Sequence, residues 1–165
     1  MQCTGPEGPM GPQGYDGQDG LDGINYVHSV IYDVDPSDWS GDTDGYYAPL
    51  DIPEITNDIF YTGAVLVYRL IEIDPYSFNL LPYTYVDKTT TTSMDFDAYV
   101  GSITLIFKKV SDGVNDTQAP SNVMSFKVVI IEGIPLTTLK TLVNINNFAA
   151  VSKILNLDNE RSKNQ

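Results

Sequence analysis

The sequence is poor in the residues that build most catalytic and metal centres. It contains one histidine, His28, and one cysteine, Cys3, among 165 residues. A single cysteine excludes an internal disulfide and a multi-thiolate metal site, and a single histidine leaves no second candidate for a paired-histidine site. His28 itself lies in an alternating strand pattern that is typical of a half-buried surface residue. We therefore predict that the protein is not an enzyme.

Positive charge is missing from the first part of the chain. Residues 1–68 contain twelve acidic residues and no Lys or Arg, whereas residues 69–165 contain nine basic and ten acidic residues, for a net charge of −13. Phosphate binding requires clustered cations. The composition therefore argues against nucleic acid as a partner and against electrostatic docking on an anionic membrane.

Long apolar runs are also absent. The longest strongly apolar pieces, 63–73 and 126–131, have the length of a strand. A helix that spans a bilayer needs roughly 20 apolar residues. We expect that the chain does not cross a membrane by itself.

Gly-x-y triplets follow directly after Cys3. Glycines stand at 5, 8, 11, 14, 17, 20 and 23. This period is typical of a collagen triple helix or of a polyproline-like spacer. Within these triplets proline occurs only at 6, 9 and 12, so the extended conformation is weakly preorganised. We favour an extended single-chain tether of roughly 60 Å, and a trimeric collagen-like stalk stays open.

Cys3 lies in this glycine-rich segment without a neighbouring cation to activate its thiol. Its position matches the first residue of a mature bacterial lipoprotein, which is diacylated on sulfur and acylated on its amine. No lipobox precedes it in this sequence, so the prediction rests on position. We predict lipidation of Cys3, because several acyl chains give stable anchoring, with an incidental free thiol as the alternative.

From residue 24 the pattern becomes that of a β domain. Seven strand-like segments at intervals of roughly ten residues are separated by turn residues. They are 24–34, 46–52, 64–73, 78–86, 92–100, 102–110 and 123–131. We predict a mainly β fold, an antiparallel β-sandwich or jelly-roll-like domain over 24–134. Pro49 and Pro53 favour an edge position or an early end for the second segment, and 64–73 reads as a central strand.

The end of the chain predicts a different element. We predict that residues 135–165 form a short helix packed on the β domain and a frayed tail. The chain is thus divided into a linker (1–23), a β domain (24–134) and this C-terminal part. Four apolar residues fall at helical spacing: Phe148, Val151, Ile154 and Leu155. Asn146 or Asn147 can cap the start of this helix.

Five aspartates in the segment 32–45 form the candidate metal site. They are Asp33, Asp35, Asp38, Asp42 and Asp44. Ca²⁺ takes oxygen ligands from pliable loops, but this spacing departs from the EF-hand pattern, Pro36 interrupts it, and no closing Glu follows. We favour a solvated acidic loop over bound Ca²⁺, and we expect no other cofactor.

Aromatic residues in and after this segment form a candidate binding surface of Trp39, Tyr46 and Tyr47. Exposed aromatics can stack on a sugar ring. Alternatively, Trp39 folds back over one end of the sandwich and pairs its N–H, which is the interpretation we favour. Asp95 and Asp97 share one face of a predicted strand, a spacing that suits glycoside hydrolysis but is also common on solvated strands.

Several segments together resemble a family of small Bacteroidota lipoproteins that are labelled collagen-like. The matching segments, which span nearly the whole chain, are Cys3 with "GPEGPMGPQGYDGQDG", "DPSDW", "YYAPLDIPEIT", "GAVLVY", "LPYTY", "FKVVIIEG" and "NNFAAVSKILNL". The resemblance implies a lipidated Cys3, a short tether, a β-rich domain with a C-terminal helix, and an outer-membrane or cell-surface location. It implies no enzymatic activity and no defined ligand.

On this basis we expect an accessory or interaction subunit of an envelope complex, such as an adhesin or the gliding and type 9 secretion machines. Two alternatives stay open. One is a carbohydrate-binding surface module. The other is a homotrimeric, C1q-like structural protein in which the triplets and the β domain assemble together.

Overall fold

Antiparallel strands dominate the chain, as predicted. The computed structural model describes residues 27–71 and 77–157. The predicted lipidation of Cys3, the Gly-x-y tether, the beginning of the first strand and the tail after 157 lie outside these residues. Within them the fold is mainly β, with antiparallel sheets and a short C-terminal helix.

The strands follow the alternating segments of the sequence closely. They are β1 (Val27–Val34), β2 (Ser40–Asp42), β3 (Gly45–Asp51), β4 (Ala64–Ile71), β5 (Ser77–Leu80), β6 (Tyr83–Asp87), β7 (Thr90–Tyr99), β8 (Ser102–Ser111), β9 (Val114–Asn115) and β10 (Met124–Ile131). The helices are α1 (Asn57–Thr62), α2 (Leu136–Leu142) and α3 (Phe148–Leu155), and a 3-10 turn covers Pro36–Asp38.

The strands form two sheets. Sheet A has the order β1-β10-β4-β5. Sheet B has the order β2-β3-β8-β7-β6, with β9 paired to β8. All pairs are antiparallel. The edge strands of the described residues are therefore β1 and β5 in sheet A and β2, β6 and the short β9 in sheet B.

The main core lies between the two sheets. Alternate residues of β10 (Phe126, Val128 and Ile130) face Ile103 and Leu105 of β8, and all five are fully buried. Alternation of side chains along a strand places these residues on one face. Each such burial contributes about 1.5–3 kcal/mol to the transfer free energy.

A second apolar layer covers the opposite face of sheet A. Val129 and Ile131 of β10 pack with Leu139 of α2 and with Val151 and Leu155 of α3. β10 is thus buried on both faces, which explains why "FKVVII" is apolar at every position except Lys127 instead of alternating between apolar and polar residues. The predicted C-terminal helix is confirmed, and the Asn147 side chain caps it by accepting a hydrogen bond from the Ala150 N–H at 3.2 Å.

Two polar side chains are buried within this second layer. The Tyr68 hydroxyl donates to the carbonyl of Ile145 at 2.7 Å. The fully buried Lys127 places its ammonium 5.4 Å from the ring centroid of Phe148. Such a position over an aromatic face attracts a cation. The helices therefore complete the environment of sheet A and are not a separate unit.

The prediction of one continuous strand over 78–86 was wrong. Residues 77–80 belong to sheet A as β5, and residues 83–87 belong to sheet B as β6. Leu81 and Pro82 lie between them. Since proline has no N–H, it cannot continue a ladder, and the chain changes sheets at this point.

The predicted edge position of 46–52 is half right. β3 has a neighbour on both sides, but its ladder with β2 ends at Tyr47, so Pro49 pairs only with β8. The proline is therefore tolerated where the strand has one free side.

Candidate functional site

The aspartates of the candidate calcium site do not converge on one point, and four of their carboxylates accept separate hydrogen bonds. The Asp38 carboxylate accepts a hydrogen bond from the Asp35 N–H, and Asp42 accepts one from the Asp44 N–H, each at 2.9 Å. Asp44 also accepts from the side-chain amide of Asn115 at 2.7 Å, and Asp33 accepts from the hydroxyl of Ser125. Among residues 27–71 and 77–157, no three His, Cys, Asp or Glu side chains are grouped to hold a metal ion. The contacts resemble those of a hydrogen-bonded acidic loop, and Ca²⁺ binding stays an untested prediction.

Trp39 is a core residue and not part of an exposed binding surface. Its side chain is 6% exposed and lies edge-on to Phe107, with ring centroids 6.3 Å apart, and 6.5 Å from Phe126. The burial of Trp39 agrees with the favoured interpretation, in which it folds back onto the sandwich, and it rules out the alternative of a sugar-stacking surface at Trp39 because the ring faces are covered. The indole N–H has no hydrogen-bond partner within the described residues, contrary to the expectation that it is paired.

Tyr46 and Tyr47 face opposite sides of sheet B. Tyr46 is half-buried and packs against the main core, opposite Phe107, whereas Tyr47 is 40% exposed and pairs with Ile106. Adjacent residues of a strand alternate between faces. Of the three predicted surface residues, only Tyr47 lies on the outer face of sheet B.

The outer face of sheet B carries other exposed groups. The register places Asp95 beside Ile106 and Tyr47, and Asp97 one step further along the same face. Tyr99 ends this row at 51% exposure. Asp95 and Asp97 share one solvent-exposed face, as the alternation predicted.

His28 is half-buried at the edge strand β1. Its Nε2 lies 3.9 Å from a carboxylate oxygen of Glu54. Burial and, secondarily, the nearby Glu54 carboxylate raise the pKa of Tyr32 on the same face of β1. None of the eight residues of β1 is exposed: all are buried or half-buried.

The opposite edge of the sandwich opens into a cleft of about 620 Å³. It lies where β5 of sheet A and β6 of sheet B separate, and the loop between α2 and α3 contributes Asn146. Arg69 is its only charged residue among those described. The other polar lining groups are Asn79, Tyr83, Thr84, Tyr85 and Thr92. We refer to these residues with Arg69 and Asn146 as the edge cleft.

Arg69 lies between the two sheets. In the register it pairs with Phe126, whose side chain faces the main core, so the arginine points the same way. Its guanidinium donates to the hydroxyl of Tyr83 on β6. A guanidinium has five N–H donors, so one phenol oxygen leaves most of its donor capacity for other acceptors.

β6 forms the rim of the edge cleft, and most of its residues are exposed. Thr84 to Asp87 are all exposed, with Tyr85 and Val86 at 61% and 62%. Asp87 and Thr90 flank a two-residue turn and are paired. The two residues that flank such a turn hydrogen-bond to each other, so the backbone N–H of Asp87 points towards β7. Because the direction of the N–H groups alternates along a strand, those of Thr84 and Val86 point away from β7, towards the free edge.

The edge cleft was missed from the sequence. One signal pointed to it: Arg69 is the first basic residue of the chain and interrupts the apolar strand "AVLVYRLI". A charged residue in a central strand is rare unless it is paired or functional. The exposed edge of β6 could not be anticipated, because it depends on the change of sheet at Pro82.

Comparisons with models of known families, with curated proteins and with solved structures gave no match. Within the described residues, none of the helices has the length and apolar character needed to cross a bilayer.

Proposed function

We propose that the chain is a non-enzymatic interaction subunit at the outer-membrane surface, held by lipid on Cys3, that recruits an envelope protein by strand addition at β6. The observation that carries the binding function is the exposed edge of β6. The membrane location is supported by the sequence, through Cys3, the Gly-x-y triplets and the resemblance to collagen-like lipoproteins.

Strand addition fits the chemistry of β6. An edge strand presents unpaired N–H and C=O groups, and natural proteins usually block such edges with lysine, proline, a bulge or a covering loop. β6 contains no Lys or Pro, and its one charged residue, Asp87, stands at its end. Its Tyr-Thr-Tyr-Val sequence has high β propensity. An extended partner segment would gain main-chain hydrogen bonds along this strand.

A proline at residue 84 tests this proposal. Thr84→Pro removes an N–H that faces the free edge and leaves the pairing with β7 intact. Thr84→Val keeps the N–H and serves as the matched control. The tagged variants are purified from native envelopes in mild detergent, and copurifying proteins are quantified by mass spectrometry.

We expect one envelope protein at near-equal stoichiometry with wild type and Thr84→Val, and its loss with Thr84→Pro. Equal recovery with all three forms would contradict strand addition at β6. Recovery of the chain alone in each case would contradict the role as a subunit of a complex.

The lipid anchor is tested separately. Metabolic labelling with an alkyne analogue of palmitate is expected to label the native protein and not a Cys3→Ser variant, which should leave the membrane fraction. Equal labelling of both forms, or none of the native form, would contradict anchoring through Cys3.

A second candidate function, carbohydrate binding, is favoured by the outer face of sheet B. Tyr47 and Tyr99 are exposed there, and Asp95 and Asp97 lie between them as hydrogen-bond acceptors. Glycan arrays probed with wild type and Tyr47→Ala test it: binding by wild type that is lost in the variant supports this function, and no binding by wild type removes it.

A further inference from the structure

The edge cleft has a distinct electrostatic character. The chain as a whole carries a net charge of −13, yet the only charged residue among the described lining residues is the cation Arg69. Because charges in a partly desolvated cleft are screened less than those on the surface, Arg69 determines which charge is favoured there.

Arg69 is half-buried, and its partner is a neutral hydroxyl. Within residues 27–71 and 77–157, the Arg69 guanidinium donates to the Tyr83 hydroxyl, and no acidic residue lines the cleft. A half-buried guanidinium is stabilised most by a carboxylate, which it can bind through two parallel N–H donors. The cleft therefore has a donor set that matches a carboxylate ligand.

The geometry of β6 fixes where such a carboxylate would come from. The inward-facing side chains of β6 are Tyr83, opposite the core residue Met94, and Tyr85, two positions on. A strand added to β6 would lie about 4.8 Å away and would alternate its side chains in the same manner. Every second side chain of the added strand would then enter the cleft on the side of Arg69.

We infer that the partner segment carries an Asp or Glu at one inward-facing position, and that its carboxylate pairs with Arg69. This inference rests on the proposed strand addition and identifies its specificity determinant. The main-chain bonds with β6 supply sequence-independent affinity, and Arg69 selects the acidic residue. Tyr83 holds the guanidinium in position from the sheet B side.

Selection from a displayed library of random octapeptides tests the inference. The immobilised full-length chain is used as wild type, Arg69→Gln and Thr84→Pro, and thermal unfolding verifies that each variant is folded. One selected peptide is then synthesised with its acidic residue present and with Glu→Gln or Asp→Asn, and both are titrated against wild type. This second comparison changes only the peptide, so it holds even if Arg69→Gln fails to fold.

We expect peptides selected on wild type to be enriched in Asp or Glu at one position. Neutralising that residue should weaken binding to wild type about tenfold, the order of a charge-assisted hydrogen bond, and should have less than about a twofold effect on Arg69→Gln. Thr84→Pro should lose all selected peptides, whether acidic or neutral.

Four results would overturn the inference, and they differ in what they imply for the proposed function. Peptides that require the Thr84 N–H but show no acidic preference would leave strand addition intact and remove the role of Arg69. Peptides that bind Thr84→Pro as well as wild type, or no selected peptides at all, would contradict both. Retention of an oligouronate by wild type and not by Arg69→Gln, without any selected peptide, would assign the cleft to an acidic sugar.

Discussion

At the scale of single residues, aromatic side chains that are close together in the sequence differ in their solvent exposure. Trp39, Tyr46 and Tyr47 lie within nine positions of each other, yet only Tyr47 is exposed beyond a third of its surface. Alternation along β3 predicts that Tyr46 and Tyr47 face opposite ways. It does not predict which way, because that depends on the partner sheet, nor does it reveal that Trp39 is enclosed by Phe107 and Phe126.

Replacement of Trp39 tests its role in the core. Trp39→Ala should lower the free energy of unfolding by about 3–5 kcal/mol, because it removes a buried aromatic side chain and leaves a cavity. Urea unfolding measures this change. Tyr47→Ala is the comparison, and we expect a cost of about 1 kcal/mol or less because Tyr47 is partly solvated. Similar small costs for both variants would contradict the burial of Trp39.

Tyr68 predicts how stability depends on pH at the alkaline end. Burial raises the pKa of its hydroxyl well above the ordinary tyrosine value of about 10. The unfolded chain ionises this group near pH 10 while the folded chain keeps it neutral, so its stabilising contribution is full below pH 10 and is lost as the pH rises further. The slope contributed by this group is at most about 1.4 kcal/mol per pH unit.

Urea unfolding of wild type and Tyr68→Phe between pH 8 and 11 measures this dependence. At pH 8 the variant should be less stable by about 1 kcal/mol, because the Ile145 carbonyl loses its donor. Above pH 10 the difference between the two proteins should shrink. A constant difference across the range would show that Tyr68 is not the group responsible.

At the scale of elements, the periodicity of apolar residues predicted the main strands and the last helix. It failed for elements whose structure depends on packing against the rest of the chain. The period-two segments at 92–100 and 102–110 correspond to β7 and β8, with Gly101 in the turn at φ +82°. α2 was missed because its three threonines weaken the helical signal. The division of 78–86 between two sheets also depends on packing, although Pro82 marked the place.

The junction between α1 and β4 depends on the absence of a side chain at Gly63. A Cβ there would lie 2.3 Å from the carbonyl oxygen of Ile131 and 2.9 Å from that of Ile59. Both atoms belong to the backbone and cannot rotate away. Gly63→Ala should therefore destabilise the protein by about 1–3 kcal/mol, as in other overpacked sites.

Thermal unfolding of Gly63→Ala measures this effect against Gly113→Ala. A Cβ at Gly113 meets no atom within 4 Å, so that variant reports only the cost of a left-handed backbone at φ +78°, which is about 1–2 kcal/mol. If Gly63→Ala is as stable as wild type, the close approach of α1 and β10 at this junction is refuted.

At the scale of the whole molecule, β10 joins the two apolar layers. Phe126 and Val128 face sheet B, while Val129 and Ile131 face the helices. Loss of the helix layer should therefore also loosen the main core. The apolar sequence of β10, interrupted only by Lys127 between Phe126 and Ile131, predicts burial on both faces. It does not identify the two layers that cover the strand.

Val151→Asp tests this coupling, because it places a carboxylate in the fully buried interface between α3 and sheet A. We expect the near-ultraviolet signal of Trp39 and the far-ultraviolet signal of the strands to be lost in one transition at a lower temperature than in wild type. Loss of helical signal with an unchanged Trp39 transition would mean that the two layers unfold independently. Ser152→Asp, one position along at a half-buried site, is the control.

The functional account depends on whether a partner pairs with β6, and amide hydrogen exchange measures this most directly. Exchange is followed by NMR for the free chain and for its complex purified from native envelopes. We predict slower exchange on binding at Thr84 and Val86, by about tenfold or more, with little change at the exposed residues Asp95 and Asp97 on the outer face of sheet B. Unchanged exchange at Thr84 and Val86, with protection elsewhere, would contradict strand addition at this edge.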